Sequence, residues 1–344
     1  MKRHVKIWTS ALCSFTSTAI IFSVANLQGN RVKEAFAQNI EAKAVCVMEQ
    51  NSRRILFELN GDTRLPMAST TKIATAVTVL NLCNDIKSEI KIPNAAVGIE
   101  GSSVYLKEND VYSVEDLLYG LMLRSGNDCA TALALYFSED ISTFSAKMNE
   151  TAQKAGAFAT CFQNPHGLPC KNHYTTARDL SLISCYAMEN PLFKEIVATE
   201  YYEPCHWKNK NKMVTEYNGI GIKTGYTKEA GRCLVSAAEN EGMTVICTVL
   251  SCPDMYRVSN NLIKDVFSSF RYKKIIGKED VFNIVSGDKN ICGKIKEDFY
   301  YPMMEGEENQ LEIITKPINN GEIVGQIEIY LSKRLLFCEN LYKL

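Results

Sequence analysis

Apolar and polar positions alternate with different periods along the chain, and the period changes twice. Two short runs, Ala44 to Met48 and Arg54 to Phe57, flank the turn-like Gln50-Asn51-Ser52 and predict an N-terminal β-hairpin. Helical spacing takes over after it. Residues 69–82 place Ile73, Ala76, Val77 and Leu80 on one face, and Ser113-Val114-Glu115-Asp116 is a capping signal ahead of Leu117, Leu118, Leu121 and Met122. A further helix is expected from Asn127. Another carries Phe144, Met148 and Ala152 before Gly156, and Thr176-Ala177-Arg178-Asp179 caps the next. Strand patterns return at Ile220 to Thr224, Cys233 to Ala238 and Met243 to Leu250, the last two joined by the turn-forming Glu239-Asn240-Glu241-Gly242, and a helix from Tyr256 to Phe270 follows. Two strands before the helical block and three after it predict one antiparallel sheet built from both ends of a domain, with helices on its faces, closing near Arg271. From residue 280 onward the pattern is short β-like runs (Val281 to Val285, Leu311 to Thr315, Ile323 to Leu331) with a turn at Asn319-Asn320-Gly321, which predicts a small all-β domain over 280–344. That stretch holds no histidine and no nucleophile in a motif context, so chemistry is expected in the earlier part.

The N-terminus follows neither period. Lys2, Arg3 and Lys6 precede an apolar stretch from Ile7 to Val24 broken only by small or hydroxyl residues, the layout of an export signal over residues 1–37. Ala35-Phe36-Ala37 and Ser23-Val24-Ala25 compete as cleavage sites, and an uncleaved segment that associates with the membrane is the alternative. The protein is therefore expected to work outside the cytoplasmic membrane, on the wall or periplasmic side or secreted. No second apolar stretch approaches the roughly 20 residues that span a bilayer.

Composition narrows the function classes. A chain of 344 residues, 46% hydrophobic and 22% charged, is long enough for two domains. Its formal charge is −1; Lys2, Arg3, Lys6, Arg31 and Lys33 against Glu34 put +4 in the leader, which leaves −5 on the rest and no footprint for a nucleic-acid partner. Thirteen cysteines are an odd number, and several sit inside apolar runs, as Cys46, Cys185, Cys247 and Cys338 do. Most read as small buried hydrophobes rather than a disulfide framework, which fits a habitat that is not strongly oxidising. Cys161, His166, Cys170 and His173 have a C-x4-H-x3-C-x2-H spacing that matches none of the common zinc frameworks, so neither metal nor cofactor is expected.

A hydrolytic serine needs an activator. Only His166, His173 and His206 lie beyond the leader, and no G-x-S-x-G elbow occurs. Ser69-Thr70-Thr71-Lys72 instead opens a helix, and the i, i+3 spacing sets serine and lysine on one face about 5–6 Å apart at Cβ. A lysine whose pKa is lowered by burial and by a neighbouring cation can take the hydroxyl proton. Such tetrapeptides are common, and the plain alternative is a capped helix with an exposed lysine. Two further pieces change that: Ser125-Gly126-Asn127 falls in a break between two predicted helices, and Lys223-Thr224-Gly225 ends a predicted strand.

This triplet, in this order, is shared by class A β-lactamases and penicillin-binding proteins. The chain resembles the low-molecular-mass penicillin-binding D-Ala-D-Ala carboxypeptidases, through Leu65 to Lys72, Leu117 to Asp128, Asn164 to Leu168 with His173 to Ala177, and Gly221 to Gly231, over roughly residues 40 to 275. The resemblance implies an α+β (α-β sandwich) architecture, a penicillin-binding/β-lactamase-like catalytic domain at 38–275 with an antiparallel sheet flanked by helices, followed by the small β-rich domain. It implies that Ser69 attacks the carbonyl between two terminal D-alanines of a peptidoglycan stem peptide and forms an acyl-ester, with Lys72 as proton acceptor. Ser125 would relay a proton to the leaving D-alanine and Asn127 would hold the peptide amide. Lys223 and Thr224 would meet the terminal carboxylate, Gly225 would leave room for substrate, and the backbone N–H groups of Ser69 and Tyr226 would form the oxyanion hole. β-Lactams would be covalent inhibitors. His166 and His173 would belong to a structural loop, and His206 stays an unassigned surface residue. Members often end in an amphipathic membrane-surface helix, for which Leu335 to Leu344 is too short and weakly patterned.

Rivals remain. A β-lactamase needs a further glutamate to activate the deacylating water; Cys161 to His166 supplies none, and Glu189, before Pro191, reads as a helix end. A D,D-endopeptidase has the same three motifs. A catalytically dead wall-binding module would be expected to lack Ser69, Lys72 or Lys223, and all three are present.

Overall fold

The hairpin forms where the alternation places it: β1 (Ala44–Glu49) and β2 (Ile55–Leu59) pair antiparallel, and the Glu49 carboxylate closes the turn by accepting the Asn51 and Ser52 amides at 3.0 and 2.7 Å. The structure is a computed structural model that describes residues 40–286 and 289–344. The predicted export signal over 1–37, with both cleavage sites and the anchoring alternative, lies outside the described residues.

After β2 the chain tightens into a 3-10 turn, Ala68–Thr71, before α1 (Lys72–Leu82). The helix expected from residue 69 therefore begins with a tighter turn, in which i and i+3 side chains eclipse instead of being staggered. A small ladder of β3 (Glu89–Lys91) and β4 (Val111–Ser113) leads into α2 (Val114–Leu123), whose capping box is the predicted one: Ser113 Oγ accepts the Asp116 amide at 3.0 Å and the Asp116 carboxylate accepts the Ser113 amide at 2.9 Å. Then come α3 (Asn127–Phe137), α4 (Ile141–Lys154), α5 (Ala177–Ala187), capped by Thr176, and α6 (Pro191–Ala198), capped by Asn190. A two-residue ladder, β5 (Tyr201–Tyr202) with β6 (Trp207–Lys208), and a short helix α7 (Lys212–Thr215) bring the chain to β7 (Gly221–Thr227), β8 (Gly231–Asn240), β9 (Met243–Leu250) and α8 (Met255–Ser269).

The main sheet has the order β2-β1-β9-β8-β7 and is antiparallel throughout, with Val47 opposite Cys247 and Lys223 opposite Val235. The strands from both ends of the domain thus meet in the middle, as the pattern predicts. β1 and β9 are buried along their whole lengths because α5 packs against both and α8 against β8 and β9, so they read as continuous apolar runs. β7 is left at the sheet edge, beside the Ala68–Thr71 turn. Lys223-Thr224-Gly225 does not end the strand, contrary to the sequence reading; β7 continues to Thr227, and Gly225 and Thr227 contribute no apolar alternation that would reveal it.

Among the described residues beyond α8 the regular elements are strands, with one 3-10 turn: β10 (Phe270–Ile276), β11 (Phe282–Ser286), β12 (Lys289–Lys294), β13 (Phe299–Met304), β14 (Leu311–Asn320), β15 (Ile323–Leu331) and β16 (Arg334–Lys343). β10 pairs with β13, and the rest form a sheet of order β11-β12-β16-β15-β14 around Ile276, Ile284, Ile295, Ile327, Ile329 and Leu341. The sequence pattern missed β10, β12, β13 and β16. In β16 the consecutive Leu335-Leu336-Phe337 and the polar Glu339-Asn340 blur a period of two. The same strand corrects the reading of Cys338, which is exposed because alternation turns it to the face opposite Phe337. Cys46, Cys129, Cys185, Cys233, Cys247 and Cys252 are buried as expected, and no disulfide occurs among the described residues. Arg54, just before β2, joins the two β regions. It holds Glu307 with two hydrogen bonds of 2.9 and 2.6 Å, donates to the Pro302 carbonyl at 2.6 Å, and lies over the Phe270 and Tyr301 rings. No helix among the described residues is long and apolar enough to cross a membrane.

Candidate active site

Ser69 sits on the 3-10 turn and Lys72 at the start of α1, so the eclipsed i, i+3 geometry brings Lys72 Nζ to 2.9 Å from Ser69 Oγ. Lys72 is fully buried, although the plain alternative for its tetrapeptide has it exposed. Its nitrogen also donates to Asn127 Oδ1 at 2.6 Å and to the His166 carbonyl at 2.8 Å. Burial, and after it the nearby positive Lys223, hold the Lys72 ammonium well below its ordinary range. A neutral amine has two N–H donors and one lone pair. Asn127 Oδ1 and the His166 carbonyl can only accept, so they take the two donors and leave the lone pair for the Ser69 hydroxyl.

Asn127 is the first residue of α3, and Ser125 lies in the break before it with a left-handed φ of 63°. The next residue, Asp128, is buried and gathers a loop that the sequence pattern does not mark: its carboxylate accepts from Ser103 Oγ (2.5 Å) and from the Val104 and Leu106 amides (both 3.1 Å). The same loop receives the Asn127 amide on the Ser102 carbonyl at 2.7 Å and the Asn127 side-chain amide on the Glu100 carbonyl. Asp128 falls inside the quoted Leu117 to Asp128 stretch, but only its distant partners reveal what it does.

The loop from Cys161 to His173 presents the His166 carbonyl. Asn164 Oδ1 accepts the Gly167 amide at 2.7 Å, and Gly167, at φ +89°, lies so close to the Ala68 carbonyl that a Cβ would sit 1.9 Å from it. His173 Nδ1 accepts the Gln163 amide at 3.0 Å, which puts the ring proton on Nε2, 2.9 Å from Thr71 Oγ1. His166 Nδ1 likewise accepts the Leu168 amide at 3.2 Å. Burial holds both rings down to about 4, with Lys72 adding to the effect at His166. His206 is exposed, with its Nδ1 3.1 Å from the Tyr201 hydroxyl. Cys161 Sγ accepts from the Gln163 side chain at 3.1 Å.

β7 forms the opposite wall. A Cβ on Gly225 would lie 3.0 Å from the Met67 carbonyl and from the Ser69 and Thr70 amide nitrogens, so the strand approaches the serine turn as closely as a glycine allows. Lys223 is buried and donates to the Thr224 carbonyl at 2.9 Å; burial, and then Lys210, bring its ammonium down to about 7. The cleft between these walls measures about 340 Å³ and is lined by Ser69, Ser102, Ser125, Thr224, Gly225 and Tyr226, with Lys210, Arg232, Met255 and Tyr256 beyond them. The sequence-derived residues Ser69, Lys72, Ser125, Asn127, Lys223, Thr224, Gly225 and Tyr226 thus gather at or directly beneath one cleft, although they come from three separate stretches of chain. Glu189 does not join them. It pairs with Arg53 beside the β1–β2 hairpin, at the far edge of the sheet from β7.

Comparison with known proteins decides the family. A family model described as D-alanyl-D-alanine carboxypeptidase matches residues 30–278. The chain belongs to this family of serine peptidases. It is 33% identical over 265 residues to a D-alanyl-D-alanine carboxypeptidase of Streptomyces sp. strain K15, covering 70% of this chain and 91% of that one. It is 30% identical to the D-alanyl-D-alanine carboxypeptidase DacF of Bacillus subtilis over 61% of this chain, a match that spans only 57% of DacF. Among solved structures, penicillin binding protein 5 of Haemophilus influenzae superposes with a TM-score of 0.75 at 26% identity, covering 89% of this chain and 97% of that one. The likeness therefore extends past the catalytic region into the C-terminal strands.

Proposed function

We propose that this enzyme removes the terminal D-alanine from peptidoglycan stem pentapeptides through an acyl-ester on Ser69. The observation that carries the reading is the wiring of Lys72: Asn127 Oδ1 and the His166 carbonyl hold its buried nitrogen 2.9 Å from Ser69 Oγ, so that the neutral amine would turn its lone pair to the serine hydroxyl. Lys72 takes the Ser69 proton as Oγ attacks the carbonyl of the penultimate D-alanine. The oxyanion develops between the backbone N–H groups of Ser69 and Tyr226, which the close approach of Gly225 brings together. Ser125 passes a proton to the leaving D-alanine nitrogen, Asn127 holds the peptide amide, and the β7 edge pairs with the extended substrate as an added strand. Thr224 and the cation of Lys223 face the end of the substrate that carries the carboxylate. Hydrolysis of the ester by water then restores the serine.

No carboxylate lines the cleft among the described residues, and Glu189 is engaged elsewhere, which argues against rapid deacylation of the β-lactamase kind. β-Lactams accordingly act as slow covalent inhibitors in this reading. The chemistry resides in residues 38–275, and residues 280–344 form a β-rich support. The enzyme works outside the cytoplasmic membrane, delivered by the segment at 1–37, which either is cleaved or stays as an anchor. An endopeptidase cutting D,D cross-links uses the same wiring. Incubation with a pentapeptide stem and, separately, with a cross-linked dimer distinguishes the two: free D-alanine from the first, with little cleavage of the second, is the expected result. Ser69→Ala should abolish both D-alanine release and covalent labelling by a fluorescent penicillin, and labelling that survives would refute the nucleophile.

A further inference from the structure

The mechanism above leaves one buried acid without a task. Asp128, on the first turn of α3, is only 1% exposed, and its carboxylate collects neutral donors: Ser103 Oγ at 2.5 Å, the Val104 and Leu106 amides at 3.1 Å each, and the Cys129 amide at 3.0 Å. All but the last come from residues 103–106, which lie more than twenty positions earlier in the chain. Ser103 Oγ in turn accepts the Tyr105 amide at 2.8 Å, so the loop is knotted onto the carboxylate. A buried carboxylate stripped of such donors is costly, and the acid and the loop therefore hold each other in place.

The carbonyls of the same loop then act on Asn127. The Ser102 carbonyl accepts the Asn127 backbone amide at 2.7 Å, and the Glu100 carbonyl accepts its side-chain amide. A carbonyl can only accept, so Glu100 selects the Nδ2 end of the Asn127 side chain and leaves Oδ1 facing Lys72 Nζ, 2.6 Å away. The opposite flip would aim an N–H at Lys72 Nζ and take up the lone pair that the serine proton needs. Gly101 makes the Glu100 contact possible, because a Cβ there would lie 2.8 Å from Asn127 Nδ2. Backbone and hydrogen bonds thus connect Asp128 through residues 100–106 to Asn127 and Lys72, and Lys72 Nζ stands 2.9 Å from Ser69 Oγ.

We infer that Asp128 is a positioning residue for acylation: by holding residues 103–106 it keeps the Glu100 carbonyl on Asn127 Nδ2, so that Asn127 Oδ1 holds Lys72 against Ser69. Asp128 itself does not line the cleft, and its influence passes through Asn127. Small displacements of a proton acceptor from its donor are expensive in rate, which is what such a brace prevents. The inference rests on the reading of Ser69 and Lys72 given above.

A double-variant cycle tests it, read as the rate constant of acylation at saturating fluorescent penicillin, with a thermal melt of each protein to show that it is folded. Asp128→Asn should slow acylation by about 10- to 100-fold in the wild-type background. In an Asn127→Ala background the same change should add no more than about twofold, because a residue that acts through Asn127 has nothing left to position. Two variants disturb the loop and leave the acid in place: Gly101→Ala and Ser103→Ala should each slow acylation by about 3- to 10-fold, while Ser103→Thr, which keeps the hydroxyl, should stay near wild type. Those two carry the cycle if Asp128→Asn does not fold. Losses that add in full in the Asn127→Ala background, or an Asp128→Asn enzyme that acylates like wild type, would overturn the inference. So would a loss with Asp128→Asn that neither loop variant reproduces, since the acid would then act through its charge. Wild type that penicillin does not label, or Ser69→Ala that it still labels, overturns the underlying reading, whereas a labelled wild type with an additive cycle overturns only this inference.

Discussion

The catalytic region and the C-terminal β region are built on opposite terms. The first buries Lys72, Lys223, Asn127, Asp128, Ser125 and His173 inside an apolar core, each tied by hydrogen bonds or placed against the cleft. The second closes around a small cluster of isoleucines, with Val324 and Leu341, and keeps its charges at the surface apart from Glu328, which Lys316 and Tyr330 satisfy. Burying an ammonium costs stability, and a fold tolerates that cost where the lowered pKa is useful. The difference teaches that the lowered proton affinity of Lys72 is a property of the whole helix-and-sheet packing and not of the tetrapeptide that contains it.

Replacing the buried amine should have the largest effect. Lys72→Met should slow penicillin acylation by about 10²- to 10⁴-fold, the range for loss of a positioned base, and lower the melting temperature only modestly, because relief of the buried amine offsets part of the cost of leaving Asn127 Oδ1 and the His166 carbonyl without their donor. Stopped-flow acylation with a thermal melt checks both, and unimpaired acylation would move the base elsewhere. Next comes the close approach of β7: Gly225→Ala puts a methyl group 3.0 Å from three backbone atoms of the serine turn and should cost about 100-fold in kcat/KM together with about 1–3 kcal/mol of stability.

The buried histidines make the comparison pH-dependent. His166 and His173 are held at about 4 in the fold against an ordinary 6.5, so between those values the unfolded chain binds more protons than the native one. Stability is therefore complete above about 6.5 and falls as pH drops toward 4, by up to about 3 kcal/mol per histidine, which urea midpoints across that window would measure. His173→Gln should flatten the slope by roughly half of that; an unchanged slope would mean that the ring is not held neutral. The smallest effect belongs to the link between regions. Arg54→Ala should cost about 1–3 kcal/mol through loss of the Glu307 pair and the ring contacts, yet leave acylation of Ser69 unchanged. A fall in acylation would show that the C-terminal strands help to shape the site.

Local motifs were legible because each task uses neighbouring residues. Ser69 with Lys72, Ser125 with Asn127 and the Lys223–Gly225 run each lie within four residues, so one turn or one strand suffices to present them. What escaped is carried by contacts between distant segments. The His166 carbonyl is backbone and has no residue signature. The task of Asp128 emerges only when residues 103–106 fold back onto it. β16 escaped for a related reason, since its apolar residues are consecutive and only pairing with β15 and β12 decides which of them turn inward.

Taken alone, the sequence determined the family resemblance, the order of the main helices and sheet strands of the catalytic region, the sheet made from both chain ends and a candidate nucleophile, all of which follow from short-range spacing and period. Tertiary structure decided the rest: that the Ser69 turn is 3-10 and brings Lys72 to the serine, that two acceptors from distant segments hold the buried lysine nitrogen, and that Lys223 is covered. Proton affinity and accessibility depend on which atoms surround a group in space, and no local pattern encodes neighbours that lie up to a hundred residues away.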